Sequence, residues 1–285
     1  MGIGTFIAQT INQNAHHLFH AQTPKKCIFC GSSPTTKEHF WPDWLRNVIP
    51  KNGRKWEQLR VVENIETSDQ AIRRKGGDIH DWTIRCVCAP CNNGWMSDLE
   101  KKIKPILILL LSGTVTRIDE RSQSLMVTWC TLKVMVAEFE NPGHATTHHA
   151  QRKRMWRRKL PPKTGWRIWI GCYDRRNWKP DYINNIFYFS QKSQSDKKYI
   201  PVSRYNTQSV TFVIGSIFIH VIHSPDRALV NGWRFSGPAA GKLRQIWPVS
   251  GYSFPWPPFQ ILEDTDADFL AAQFQLSAKN SLLQF

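Results

Sequence analysis

Acidic side chains are scarce in this chain. Only 22 Asp and Glu stand against 38 Lys and Arg, a formal net charge of +16. That imbalance points to a polyanionic partner, nucleic acid first and an anionic membrane surface second. Long apolar runs are also missing. The longest, Ile106 to Leu111, falls far short of the roughly 18 residues that span a bilayer, so no membrane segment is expected. Met1 to Thr10 has neither a basic start nor a long apolar stretch, so no secretory signal is expected. The seven cysteines are an odd number, which argues against a complete disulfide framework. Without an export signal, cysteines in pairs read as metal ligands and the expected location is cytoplasmic. What is present is a core: 41% of the 285 residues are apolar, with 13 Trp and 15 Phe. This is enough for one large folded domain or two smaller ones.

The chemistry-bearing residues gather between Cys27 and Glu100. Two Cys-x-x-Cys pairs, Cys27/Cys30 and Cys88/Cys91, bracket the dipeptide Glu38-His39. Gly31 to Pro34 supplies a turn after the first pair, as in a zinc knuckle. Two such pairs give four thiolates, the shell that a structural Zn2+ takes. Four thiolates leave no open position, so this ion would staple the fold and take no part in chemistry. Cys86 competes with Cys88 for the fourth place, although its spacing to Cys91 suits a knuckle less well.

Periodicity supplies a coarse secondary structure. Residues 1–24 read as a leader whose Ile3, Phe6, Ile7 and Ile11 have near-helical spacing. Its His16, His17 and His20 read as a polar helix end, for want of accompanying acids or cysteines. Trp56 to Ile65 and Trp82 to Val87 alternate like strands, and the polar Ser68 to Asp78 reads as a loop. Met96 to Leu111 and Glu120 to Glu140 carry helical apolar stripes, with Pro105 expected to kink the first. Cys130, within the second helix, reads as a small buried hydrophobe. Beyond Gly143 the character changes. Trp166 to Tyr173, Ile186 to Ser190 and Val210 to Ile222 read as strands, the last either continuous or turning at Gly215-Ser216. Gly251 to Pro258 reads as extended, and Asp264 to Leu276 as a closing helix.

The order Cys-x-x-Cys, acid-His-x-x-Pro, Cys-x-x-Cys-Asn resembles the HNH endonuclease family, with its ββα-metal active site. It is carried here by Cys27/Cys30, Glu38-His39 with Pro42, and Cys88/Cys91-Asn92. The continuation Asn92-Asn93-Gly94-Trp95-Met96-Ser97 is similar to a less characterised bacterial branch of HNH-like proteins. The resemblance covers roughly residues 27–140. It implies that His39 is a general base, Glu38 a ligand of a catalytic Mg2+ or Mn2+, and Asn92 a second ligand, with Asn93 competing for that role. The family more often has Asp where Glu38 stands. The middle residue of the HNH triad has no clear occupant; His80, Asp81 and Thr83 lie nearest, and Asn52 and Asn64 further off. A bacterial role in defence or mobile-element biology is a further implication.

The expected fold class is α+β: a zinc-stapled HNH-like module followed by helices, then a β-rich C-terminal region. The expected divisions are a 1–24 leader, a 25–145 module and a 146–285 basic domain, with the boundary near 143–150. Residues 151–204 hold 15 Lys or Arg against Asp174, Asp181 and Asp196, with aromatics such as Trp156, Trp166 and Trp178 interleaved. Its densest run, Arg152, Lys153, Arg154, Arg157, Arg158 and Lys159, is the expected nucleic-acid grip. The expected activity is phosphodiester hydrolysis, with DNA favoured over RNA and a sensor or effector-complex protein as a further partner. The rival expectation is a zinc-stabilised nucleic-acid-binding or adaptor protein that has lost catalysis.

Overall fold

The structure, a computed structural model, describes residues 24–49, 56–64, 69–174, 181–188, 205–249 and 251–282. The leader 1–23 with its histidines, and Asn52 and Trp178, lie outside the described residues. The fold is mixed α and β, built on one seven-stranded sheet with helices on both faces.

A two-stranded pair comes first. β1 (Thr36–His39) lies antiparallel to β4 (Thr83–Val87), with Glu38 opposite Ile84 and His39 opposite Thr83. Between them the chain makes a long hairpin, β2 (Trp56–Asn64) and β3 (Asp69–Gly77). β3 falls where a polar loop was expected. It is an edge strand whose Arg73, Arg74 and Lys75 are exposed, so backbone pairing with β2 defines it and hydrophobic alternation does not. Edge strands tolerate, and often use, such charge.

After β4 the chain turns helical: α1 (Ala89–Cys91), a widened turn over Asn92–Met96, then α2 (Ser97–Leu111). Gly94 breaks the helical dihedrals with φ −92° and ψ −113°. α2 buries Leu99, Ile103, Leu107 and Leu110, the expected stripe, and runs on through an exposed Pro105. β5 (Thr116–Ile118) leads to α3 (Glu120–Ala137), capped by Asp119, whose carboxylate accepts from the Ser122 amide. From Met126 to Ala137 every residue of α3 is buried. A helix wrapped on all sides shows little amphipathic pattern.

α4 (His149–Arg158) is a short basic helix. The sheet then fills in with β6 (Trp166–Cys172), β7 (Tyr182–Tyr188), β8 (Thr207–Ile214) and β9 (Ile217–His223). β8 and β9 form a hairpin that turns at Gly215-Ser216, with Gly215 at φ 55°. Then come α5 (Arg227–Gly232), β10 (Arg244–Trp247), β11 (Phe254–Trp256), which pairs with β5, and α6 (Asp264–Leu282). Strand order is β10-β6-β9-β8-β7-β2-β3. Neighbours are antiparallel except β2 and β7, which run parallel.

That parallel pair crosses the boundary expected near 143–150, since β2 comes from one side of it and β7 from the other. Alternation gives each strand two faces. Trp56, Tyr182, Phe212, Ile219 and Ile168 pack against α3 and the cysteine-bearing segments in the largest apolar cluster. Leu59, Val61, Ile183, Val213 and Phe218 pack on the other face against Ala267, Leu270 and Ala271 of α6.

Polar ties hold α3 to the sheet. Glu138 is fully buried and its Oε1 accepts from Thr146 Oγ1 at 2.8 Å, the Thr147 amide at 3.0 Å, Thr147 Oγ1 at 2.6 Å and Gln208 Nε2 at 2.5 Å. Arg60 Nη2 donates to the Ala137 carbonyl at 2.9 Å, and Gln58 and Lys75 both bind Glu140. Removing the carboxylate from such a network strands several buried donors. Glu138→Ala is expected to lower stability by about 3–5 kcal/mol, read as a shift in the urea midpoint.

Candidate functional site

The first cysteine pair sits on a knuckle. Gly31 donates its amide to the Cys27 carbonyl at 3.0 Å, and Cys27 donates to Ser32 O at 2.7 Å. Gly31 takes φ 83°, a value that costs glycine least. The second pair spans the start of the helical segment, where the Asn92 amide reaches Cys88 O at 2.9 Å. The sulfurs of Cys27, Cys30, Cys88 and Cys91 all lie within 4.8 Å of one another, and Cys30 and Cys88 approach to 3.4 Å. A tetrahedral ion with bonds of about 2.3 Å needs sulfurs a little under 4 Å apart, so the four thiols lie close enough to bind an ion such as zinc. Cys86 is outside the group. It is buried beside it, where desolvation pushes its thiol well up. Burial also raises the Cys30 thiol, but hydrogen bonds from Ser32 and the neighbouring thiols outweigh this and bring it down to about 6.

The cluster fixes two elements, the segment leading into β1 and the helix after β4. Strand alternation then sends Glu38 and His39 to opposite sides. Glu38 is only 6% exposed. Its Oε1 lies 3.7 Å from Lys133 Nζ, and its carboxylate hydrogen-bonds the Asn92 side chain. Lys133 Nζ donates to Glu100 Oε1 at 2.7 Å and lies 5.9 Å from the ring centres of Phe40 and Trp129. Burial drives the Glu38 carboxyl up to about 7, with Lys133 opposing the shift and Glu100 adding to it. Glu38 and Asn92, paired by the motif, do meet here; Glu100 and Lys133, which complete the group, lie outside the motif. The signal for Lys133 was present: a lone cation between Leu132 and Val134 on an apolar helix needs a buried partner.

His39 faces outward, and its side chain is 43% exposed. Its Nδ1 stands 3.3 Å from the His80 carbonyl and 3.9 Å from Asp43 Oδ1. As the protonated nitrogen of the neutral ring, Nδ1 donates to that carbonyl and leaves Nε2 as the acceptor. Arg46 Nη2 donates to the same carbonyl at 3.2 Å, and its Nε lies 3.4 Å from Asp43. Of the residues weighed for the middle of the triad, Thr83 is paired opposite His39 across the two strands, and His80 meets the His39 ring. It acts through its backbone, so no side-chain type announced it. Asn93 is exposed on the widened turn.

The expected basic grip divides. Arg152 does not belong to it: the residue is 8% exposed, its Nη1 hydrogen-bonds the Thr147 carbonyl, and the same atom lies 3.6 Å from Glu138. It faces inward because α4 packs its Arg152 and Met155 side against the body. Lys153, Arg154, Arg157 and Arg158 are exposed. Lys159, in the left-handed conformation at the helix end, lays its ammonium 4.7 Å over the Trp95 ring.

Compared with family models, curated proteins and solved structures, the chain matches none. No helix among the described residues is long and apolar enough to cross a membrane.

Two outcomes are expected here. Purified protein should carry one zinc per chain by elemental analysis, and Cys27→Ser should lose it together with a cooperative melt. Full zinc and an unchanged melt would exclude the four-thiol assignment. Glu38 titrates higher folded than unfolded, so between its ordinary carboxylate range and about 7 the folded state holds the extra proton. Stability therefore falls as pH rises through that window. Melting temperature should drop less from pH 5 to pH 8 in Glu38→Gln than in the parent.

Proposed function

We propose that the chain is an HNH-type endonuclease that hydrolyses phosphodiester bonds, DNA in preference to RNA. The reading is carried by His39. Its ring is exposed at the end of a strand, anchored through Nδ1 by a backbone carbonyl, on a two-strand-and-helix unit stapled by four thiols. A neutral imidazole can serve as a general base. With Nδ1 committed to His80, Nε2 is free to take a proton from water as that water attacks phosphorus.

The four thiols fit Zn2+, which here would hold structure alone. The donors at Glu38 fit a hard divalent ion. Glu38 offers a carboxylate and Asn92 an amide oxygen, the kind of oxygen set that Mg2+ or Mn2+ takes. Glu38 and Glu100 share one ammonium, which leaves an excess of negative charge, and burial with that charge raises the Glu38 carboxyl. When bound, such an ion supplies charge stabilisation at the phosphate and the leaving oxygen. Lys133 holds Glu38 in place, and Glu38 in turn orients the Asn92 amide at the helix start.

A second reading has its own observation. Glu38 is almost wholly buried with Lys133 beside it, an arrangement that also suits a zinc-stabilised nucleic-acid-binding or adaptor protein without catalysis. One assay separates the two. Plasmid, linear and single-stranded DNA, and RNA, are incubated with the zinc-loaded protein plus Mg2+, Mn2+ or EDTA. The nuclease reading expects cleavage with a divalent ion, lost by a factor of roughly 100 or more in His39→Ala while zinc content and melting stay as in the parent. Equal cleavage by His39→Ala removes His39 from the reaction, and binding without cleavage by the parent favours the second reading.

A further inference from the structure

The nuclease reading requires a polyanion to reach His39, and the run in α4 expected to grip it is partly internal. A different set of cations adjoins the site. Arg46 shares the His80 carbonyl with His39, and its side chain is 40% exposed. A guanidinium has five N–H donors; contacts to Asp43 and His80 account for those on Nε and one on Nη2. Arg46 lies in the same short 3-10 turn (Asp43–Asn47) as Trp44. Lys104 of α2 places its ammonium 5.7 Å over the Trp44 ring. One turn earlier, Lys101 and Lys102 line a concavity of about 280 Å3 between α2 and α3, with Arg121, Ile106 and Leu125 also in its wall. Lys101 and Lys104 share a helix face and are separated by about 4.5 Å along the axis.

We infer that a nucleic-acid backbone lies along this flank of α2, from the α2–α3 concavity past Lys104 and Trp44 to Arg46, which delivers a phosphate to His39. The inference rests on the nuclease reading for its direction, since His39 marks where the backbone ends its path. Charge chooses the occupant. Lys102, Lys104 and Arg121 form no ion pair among the described residues; the acids near the set are Asp43 at 3.4 Å from Arg46, Asp98 at 3.9 Å from Lys101, and Asp119, which interacts with Arg121 at longer range. The surplus is positive, as it is for the whole chain. Exposed cations of this kind bind phosphates by releasing counterions. Trp44, only partly buried, adds a ring beside the path.

The test uses full-length zinc-loaded protein carrying His39→Ala, so that binding is measured without cleavage. Affinity for a short DNA duplex and for its single strand is followed against salt. Joint K101Q, K102Q, K104Q and R121Q substitution should flatten the duplex salt slope by roughly 0.9 for each phosphate contact removed. The same number of changes on α4, at Lys153, Arg154, Arg157 and Arg158, should move it less. Should the α2 variant prove unstable, acetylation of the intact protein gives the same answer, because bound duplex should protect Lys102 and Lys104. An unmoved slope, or full acetylation of both lysines in the complex, overturns the inference. In the protein with His39 restored, cleavage alongside an unmoved slope sinks this path alone. A flattened slope without parental cleavage sinks the nuclease reading and leaves the path standing.

Discussion

Everything around the candidate site depends on two cysteine pairs meeting although 57 residues separate Cys30 from Cys88. Closing a loop of that length has an entropic cost, and the elements that carry the pairs are short. β1 has four residues and the α1 turn three. Four thiols close enough to bind one ion would add strong local bonds to the apolar packing around them, where Phe29, Phe40, Trp82 and Val87 are buried. Their convergence sets the register of β1 on β4 and the position of Asn92, and therefore the distance between the carboxylate, the amide and the imidazole.

The loop being closed is itself structured. β2 and β3 lie inside it, and β2 joins β7 as the one parallel pair of the seven-stranded sheet among the described residues. A module that would otherwise be a small satellite is thus built into the sheet of the whole protein. Arg60, Gln58 and Lys75 carry the connection onward to Ala137 and Glu140 at the end of α3. The mechanical consequence is that His39 and Glu38 rest on a scaffold with two independent supports, one of sulfur and one of sheet.

Those parts of the chain that announced themselves did so through local chemistry. The cysteine spacing gave the cluster, the apolar stripe gave α2, and Gly215-Ser216 gave the hairpin of β8 and β9. β3 was hidden because an exposed edge strand needs only backbone partners, and Arg73, Arg74 and Lys75 look like loop residues. α4 was hidden because six cations within eleven residues read as surface, while Arg152 was being spent on Glu138 and the Thr147 carbonyl. The boundary expected near 143–150 rests on composition alone. Composition is silent about β2 reaching across to β7. The His80 carbonyl could not be foreseen from residue type, since every residue has one.

Strand alternation explains the division of labour between adjacent residues. Glu38 turns inward and meets Lys133, Glu100 and Asn92 where solvent is scarce; His39 turns outward to Asp43, Arg46 and water. An ammonium buried between two carboxylates and two aromatic faces is expensive to desolvate, and it is held by contacts on several sides. Exchanging Lys133 for an apolar residue would spare that cost, yet it would leave Glu38 and Glu100 facing each other uncompensated. The lysine is therefore best understood as the counter-charge that lets a carboxylate exist beside Asn92. Any cation that approaches that carboxylate must share it with Lys133, so the inward side of the strand sets how charge is held and the outward side leaves the His39 ring open to solvent.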